Sequence, residues 1–224
     1  MGNGSSFHTR NDDLDIMLEV EHYIPPSFHT FPKIIPDQSR LCQECWDRIK
    51  EGNTLLFKSQ TPESKNESEE EPCGDQGAET FFVSDFYRFL FDRLPSTEPL
   101  FKNITKQYVM FGKVIDIIIS SCNQQQVASE MLVALTEQHN QMKIHPAFYG
   151  EFCYSFLVTM KKHFGTEWTN EMNHAWCTMF SVILRVMVPV AVKGLNEWTK
   201  SDGVAAQALS LCEVGDAPPQ SLSL

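Results

Sequence analysis

The chain has no basic run long enough to form a phosphate-binding stripe, and its 18 Lys and Arg are outnumbered by 29 Asp and Glu, for a formal net charge of −11. A polyanion such as nucleic acid is repelled by that balance, so no nucleic-acid function is expected. Uninterrupted apolar runs of membrane-spanning length are missing too: Asp116 breaks Val114–Ile119, and Arg185 and Pro189 break Ile183–Val192. The chain is therefore not expected to cross a bilayer by itself. It lacks a basic start leading into an apolar signal segment, and its seven cysteines are an odd number without a recognisable disulfide framework. A reducing, cytoplasmic location is the expectation. Strand-like alternation of useful length and internal repeats are also absent, which excludes sheet architectures and solenoids and leaves an all-α fold.

What is present is helical periodicity. With 224 residues and 42% hydrophobic content, one core of ordinary size plus appendages is predicted. Residues 1–36 are polar and acidic, with prolines at 25, 26, 32 and 36, and read as an extended or disordered arm. A domain over residues 37–195 follows. Its first helix spans residues 37–50, with Leu41, Cys45 and Ile49 on one face, Trp46 beside them and Gly52 as a stop. Residues 53–79, including the run Glu67 to Glu71, form an acidic insertion loop.

Further helices are predicted over 80–94, rich in phenylalanine and ended by Pro95, and over 105–121, with Tyr108, Phe111, Ile115 and Ile118 inward. A helix over 126–140 comes next. Pro146 opens one reaching Phe164, where Gly165 is placed to stop it. The last runs over 169–192, with Trp176, Phe180, Ile183 and Met187 on one face until Pro189 kinks or ends it, and residues 196–224 read as a disordered tail.

One constellation carries chemistry. Val127, Met131, Leu135 and His139 are spaced four apart, so their helix is predicted to turn an imidazole inward. Gln107 stands 32 residues upstream (139 − 107), early on another amphipathic helix, with Phe101 six residues before it. Taken alone, a histidine on an apolar face is more often a core residue than a ligand, Gln107 suits a polar surface and Tyr87 a core tyrosine. Taken together, an imidazole, a short polar side chain and an aromatic are a set able to grip a flat iron macrocycle, which needs one nitrogen ligand on one side of the metal and a polar or open pocket on the other. His145, His163 and His174 lack such neighbours and read as surface or helix-end histidines.

The segment Asp85 to Phe91 followed by Pro99-Leu100-Phe101, and the spacing from Gln107 to His139 and on to Tyr149, resemble the B helix, corner and proximal region of the globin family, in particular bacterial-type, flavohaemoglobin-like single-domain globins. The resemblance covers about residues 37–195 apart from the insertion. It implies a globin fold in which helices A, B, C, E, F, G and H surround haem b (iron protoporphyrin IX), with a long acidic insertion between A and B. It also implies His139 as the proximal iron ligand, Phe101 as the corner ring that stacks on the porphyrin, and Tyr87 and Gln107 as distal residues. Tyr87 offers a hydroxyl and Gln107 an amide to dioxygen, so tight binding with slow release is implied. Phe111, one turn beyond Gln107, is larger than the aliphatic residue usual there and narrows the ligand's space. The predicted helix over 105–121 contains no histidine, which excludes a second axial histidine from that helix.

The implied activity is reversible binding of dioxygen or another diatomic ligand, for storage, transport or sensing. The alternatives are a nitric oxide dioxygenase, for which an external reductase would have to supply electrons, and a membrane-tethered haem-based signalling protein. Gly2, with Ser6 four residues on, fits the N-myristoylation pattern. One acyl chain without a polybasic helper gives only weak, reversible membrane association. Cys42 and Cys45 have a redox-like spacing but no second pair, and read as two thiols on a helix face.

Overall fold

The computed structural model describes residues 19–28, 34–60, 77–101, 103–121 and 125–202, among which there is no strand. The elements are α1 (described over residues 19–23), α2 (Pro36–Lys50), α3 (Leu55–Gln60), α4 (Ala78–Arg93), α5 (Ile104–Ser121), α6 (Gln125–Gln141), α7 (Ala147–Phe164) and α8 (Asn170–Asp202). The all-α expectation holds. Gly2 and most of the acidic insertion lie outside the described residues.

By chain contacts the protein divides into two compact units. One comprises residues 30–128 and 151–182, and the other residues 1–29, 129–150 and 183–224.

The first unit is built on α2, α4 and α5. Pro36 in the first turn of α2 has no N–H to waste, and Gln38 reaches back so that its Oε1 accepts from Ile35 N at 3.2 Å. The helix ends where Gly52 adopts φ +71°, which lets Gly52 N and Asn53 N fold back onto the Ile49 and Arg48 carbonyls. Gly165 closes α7 with φ +56°, as its sequence position predicts. Trp46 of α2 is fully buried and touches Phe82, Phe111 and Phe156 with ring centroids 5.8, 6.4 and 6.4 Å away. Its indole N–H donates to Asp116 Oδ1 at 3.0 Å, so the one polar atom of this buried ring is satisfied. Cys42 and Cys45 are both buried on α2, and burial pushes the Cys45 thiol up to about 11; these are packing thiols.

Two expectations need correction here. The insertion is not loop throughout, because α3 occupies residues 55–60 and Phe57 packs on Phe81 of α4 with centroids 5.8 Å apart. Packing of the half-buried Phe57 on Phe81 outweighs the polar composition that follows it. His163 is also not a surface residue: it is 1% exposed, between the Phe81 and Phe82 rings, with Nε2 3.1 Å from Asp85 Oδ2. It sits at a helix end, as expected, but a buried carboxylate partner holds it inside.

The second unit corrects the tails. Residues 19–23, expected to be extended or disordered, are helical, and Val20, Ile24 and Phe28 are buried. Four-residue spacing of apolar side chains within the polar arm carries this, and the prolines at 25 and 26 come only after the helix. At the other end α8 passes through Pro189 and continues to Asp202, beyond both the expected stop and the expected start of the tail. Val188, Ala191, Val192 and Leu195 are buried on both sides of the proline, so packing outweighs the one lost backbone bond.

That length also revises the reading of apolar runs. Asn170–Lys200 is, by length and composition only, a helix long and apolar enough to cross a membrane, with mean hydropathy 1.9 in its most apolar window. Most of that window is buried inside the protein, as in a core helix.

Candidate functional site

His139 lies in the last turn of α6, and the chain around it is folded tightly back. Its carbonyl accepts from Met142 N at 3.0 Å and Ile144 N at 3.1 Å, and Lys143 adopts φ +55° between them. His145 then receives the start of α7, its Nδ1 accepting from Ala147 N at 3.3 Å. That cap sets Tyr149 in the first turn of α7, where its buried hydroxyl lies 3.3 Å from His139 Nδ1. Burial pushes the His139 pKa below its ordinary value, so the imidazole is held neutral, and it pushes the Tyr149 phenol upward. When Nδ1–H donates to the phenol oxygen, Nε2 carries the lone pair. A neutral imidazole with one nitrogen oriented by a neighbour is the form that ligates a metal.

The inward face of α6 is not the predicted stripe. Val127 is 48% and Met131 41% exposed, whereas Leu132 and Thr136 are buried. A four-residue step advances the helix by about 400°, so a stripe drifts about 40° per step. The face leading to His139 is fixed by Leu132 and Thr136, seven and three residues before it, with Leu135 half-buried.

Asn140 fastens the same turn to α8. Its Nδ2 donates to Val190 O at 3.1 Å, and its amide lies over Gly194, where a Cβ would come within 2.3 Å of Asn140 Cγ and Nδ2. This latch fell outside the sequence-based expectation, because Gly194 lies beyond the expected helix over 169–192.

The remaining predicted residues belong to the other unit. Tyr87 of α4 is buried, stacked on Tyr108 at 5.6 Å and 15°, with the Phe101 ring edge-on at 5.1 Å and Phe111 at 5.9 Å. Burial, with Tyr108 beside it, keeps its hydroxyl protonated and able to donate. Phe101 ends the turn Pro95–Leu100 and also meets Phe91 at 5.3 Å. Asn103 caps α5, its Oδ1 accepting from Lys106 N at 3.0 Å, and Gln107 follows within the first turns, half-buried. Phe111 is buried among Phe86, Phe152 and Phe156, so it is a core ring of this unit.

Tyr87, Phe101 and Phe111 are thus brought together, with Gln107 one turn before Phe111 on α5. Among the described residues no three His, Cys, Asp or Glu side chains come together to hold a bare metal ion. A metal held through His139 would have to bring its other ligands with it, as a porphyrin does. The donor set therefore fits haem.

Residues 84–187 match the family model described as Globin. The match takes in Tyr87, Phe101, Gln107, Phe111, His139 and Tyr149. No curated protein matches the chain.

Proposed function

The chain contains a globin domain at residues 84–187, and from that premise we propose that it holds haem b and binds dioxygen reversibly. The observation that carries this reading is His139: a half-buried imidazole, held toward its neutral form, whose Nδ1 is engaged by Tyr149, leaving Nε2 as the nitrogen for iron. When bound, haem supplies an iron centre able to coordinate a diatomic gas. His139 is the protein's bond to that iron, and Phe101 offers a ring to the macrocycle. Tyr87, kept protonated by burial, and Gln107, with its amide N–H, are the donors offered to dioxygen.

His139→Ala is expected to abolish stable haem retention; full haem occupancy with an unchanged absorption spectrum would overturn the assignment. Tyr87→Phe and Gln107→Leu are each expected to speed dioxygen release about tenfold or more, because each removes a hydrogen bond to a partly charged acceptor worth about 1.5–3 kcal/mol. Carbon monoxide carries less charge on its outer atom, so its release should change far less. Stopped-flow release of both gases from the two variants separates lost hydrogen bonding from general damage, and unchanged dioxygen release in both would refute the role of the pair.

A further inference from the structure

Gly150 sits in the first turn of α7, immediately after Tyr149, where alanine would favour the helix. Its reason for being glycine lies in the N-terminal segment. A Cβ at Gly150 would stand 2.7 Å from both Cδ and Cγ of Pro25, and 3.4 Å from the Tyr23 carbonyl oxygen. The chain at residues 23–25 therefore lies directly on the backbone of α7.

The same segment has three further anchors. Val20, Ile24 and Phe28 are buried, at four-residue spacing. The Tyr23 ring stands edge-on to His145 with centroids 5.5 Å apart. Glu21 Oε1 accepts from Arg185 Nη1, and Glu19 Oε2 from Asn196 Nδ2, both at 3.2 Å and both on α8. Two of the residues it touches, His145 and Gly150, are those that decide where Tyr149 stands: one caps the start of α7 and the other follows Tyr149 in the chain.

We infer that residues 19–28 form a clasp that positions Tyr149 against His139, so that displacing this segment changes the state of the imidazole. The significance of that change for gas binding rests on the reading of His139 as the iron ligand. The coupling itself does not, since every contact in it is made by the protein's own residues. Tyr23 and Pro25 are positioning residues: they act on His139 only through His145, Gly150 and Tyr149.

The test is Gly150→Ala in the full chain, which adds one methyl where Pro25 lies and leaves α7 a better helix former. Amide hydrogen exchange over residues 19–24 and the ¹⁵N signals of the His139 ring are read on the protein without added haem. Dioxygen release is read after loading. Exchange in residues 19–24 should quicken at least tenfold and the His139 Nδ1 signal should move. Adding Pro25→Ala removes the two clashing ring atoms and should return the His139 signal toward its original position. Tyr23→Leu, which takes the ring from His145 while leaving Val20, Ile24 and Phe28 in place, should move the same signal.

Quickened exchange with an unmoved His139 signal would overturn the inference, as would failure of Pro25→Ala to restore it or unchanged exchange in Gly150→Ala. A protein that retains no haem but shows the restored imidazole signal would overturn the functional reading and leave the clasp standing.

Discussion

Removing one oxygen from Tyr149 tests the proximal arrangement most directly. Tyr149→Phe keeps the ring and its packing and deletes only the partner of His139 Nδ1. The 3.3 Å separation is at the long end for a hydrogen bond between neutral groups, so its net contribution belongs in the lower part of the usual range, about 0.5–1 kcal/mol. His139 is half-buried, so the orphaned nitrogen regains solvation only in part, which raises the expected loss to about 1–2 kcal/mol.

The variant should therefore unfold at lower urea, with the folded-to-unfolded ratio reduced about 5–30-fold and the slope of the transition unchanged. Without the phenol to fix one tautomer through Nδ1, the ring should populate both neutral tautomers, read as converging ¹⁵N shifts of the two ring nitrogens. Loaded protein should release haem to an acceptor apoprotein faster than the parent. A loss of stability below a few tenths of a kcal/mol together with unmoved ring shifts would show that the contact neither holds nor orients the imidazole, and the case for a prepared iron ligand would fall with it.

Gly194→Ala places a Cβ 2.3 Å from the Asn140 amide, so the bond to Val190 O must break; a net loss of about 1–2 kcal/mol is expected despite alanine's helix preference, measured by urea unfolding. Combining it with Asn140→Ala should cost clearly less than the sum, since both act on one contact; strict additivity would refute the latch. His139, His145 and His163 all have pKa values lowered, with burial the leading cause, and for His163 this prevails over the opposing pull of Asp85. Below the ordinary histidine value of about 6.5 the unfolded chain binds protons that the native state refuses, so stability should fall as pH drops from about 6.5. The Asp85 carboxyl, held below its ordinary value by Lys162, Arg88 and His163 against the effect of burial, adds a second loss as pH falls through the acid range. Thermal melts followed by circular dichroism at stepped pH check this; a midpoint constant between pH values of about 7 and 5 would refute it.

Helices α2, α4, α5, α6 and α7 were legible because each buries one face, and burial at helical spacing writes itself into the sequence as period. Gly52, Pro95 and Gly165 announced their stops through backbone chemistry that acts within one or two residues. Trp176, Phe180, Ile183 and Met187 fell on the buried face of α8 as their spacing required. The residues proposed to serve haem were likewise readable as types at intervals, since a ligand imidazole and donor side chains are properties of single residues.

Tertiary structure decided whatever depended on a partner far along the chain. Helix α3 forms because Phe57 finds Phe81, and α8 outruns Pro189 because apolar side chains on both sides of the break are buried. The inward face of α6 turned from Val127 and Met131 to Leu132 and Thr136 because Leu132 stands about 100° around the helix from Met131, and spacing alone does not say which of two neighbouring faces is covered. His163 went inside because Asp85 was there to receive it, and the N-terminal arm is ordered where it meets Gly150, a glycine whose missing side chain makes room for Pro25. Local periodicity thus determined which segments are helical, while the contacts that place one side chain against another were set only when distant segments met, because their energies belong to pairs and not to residues.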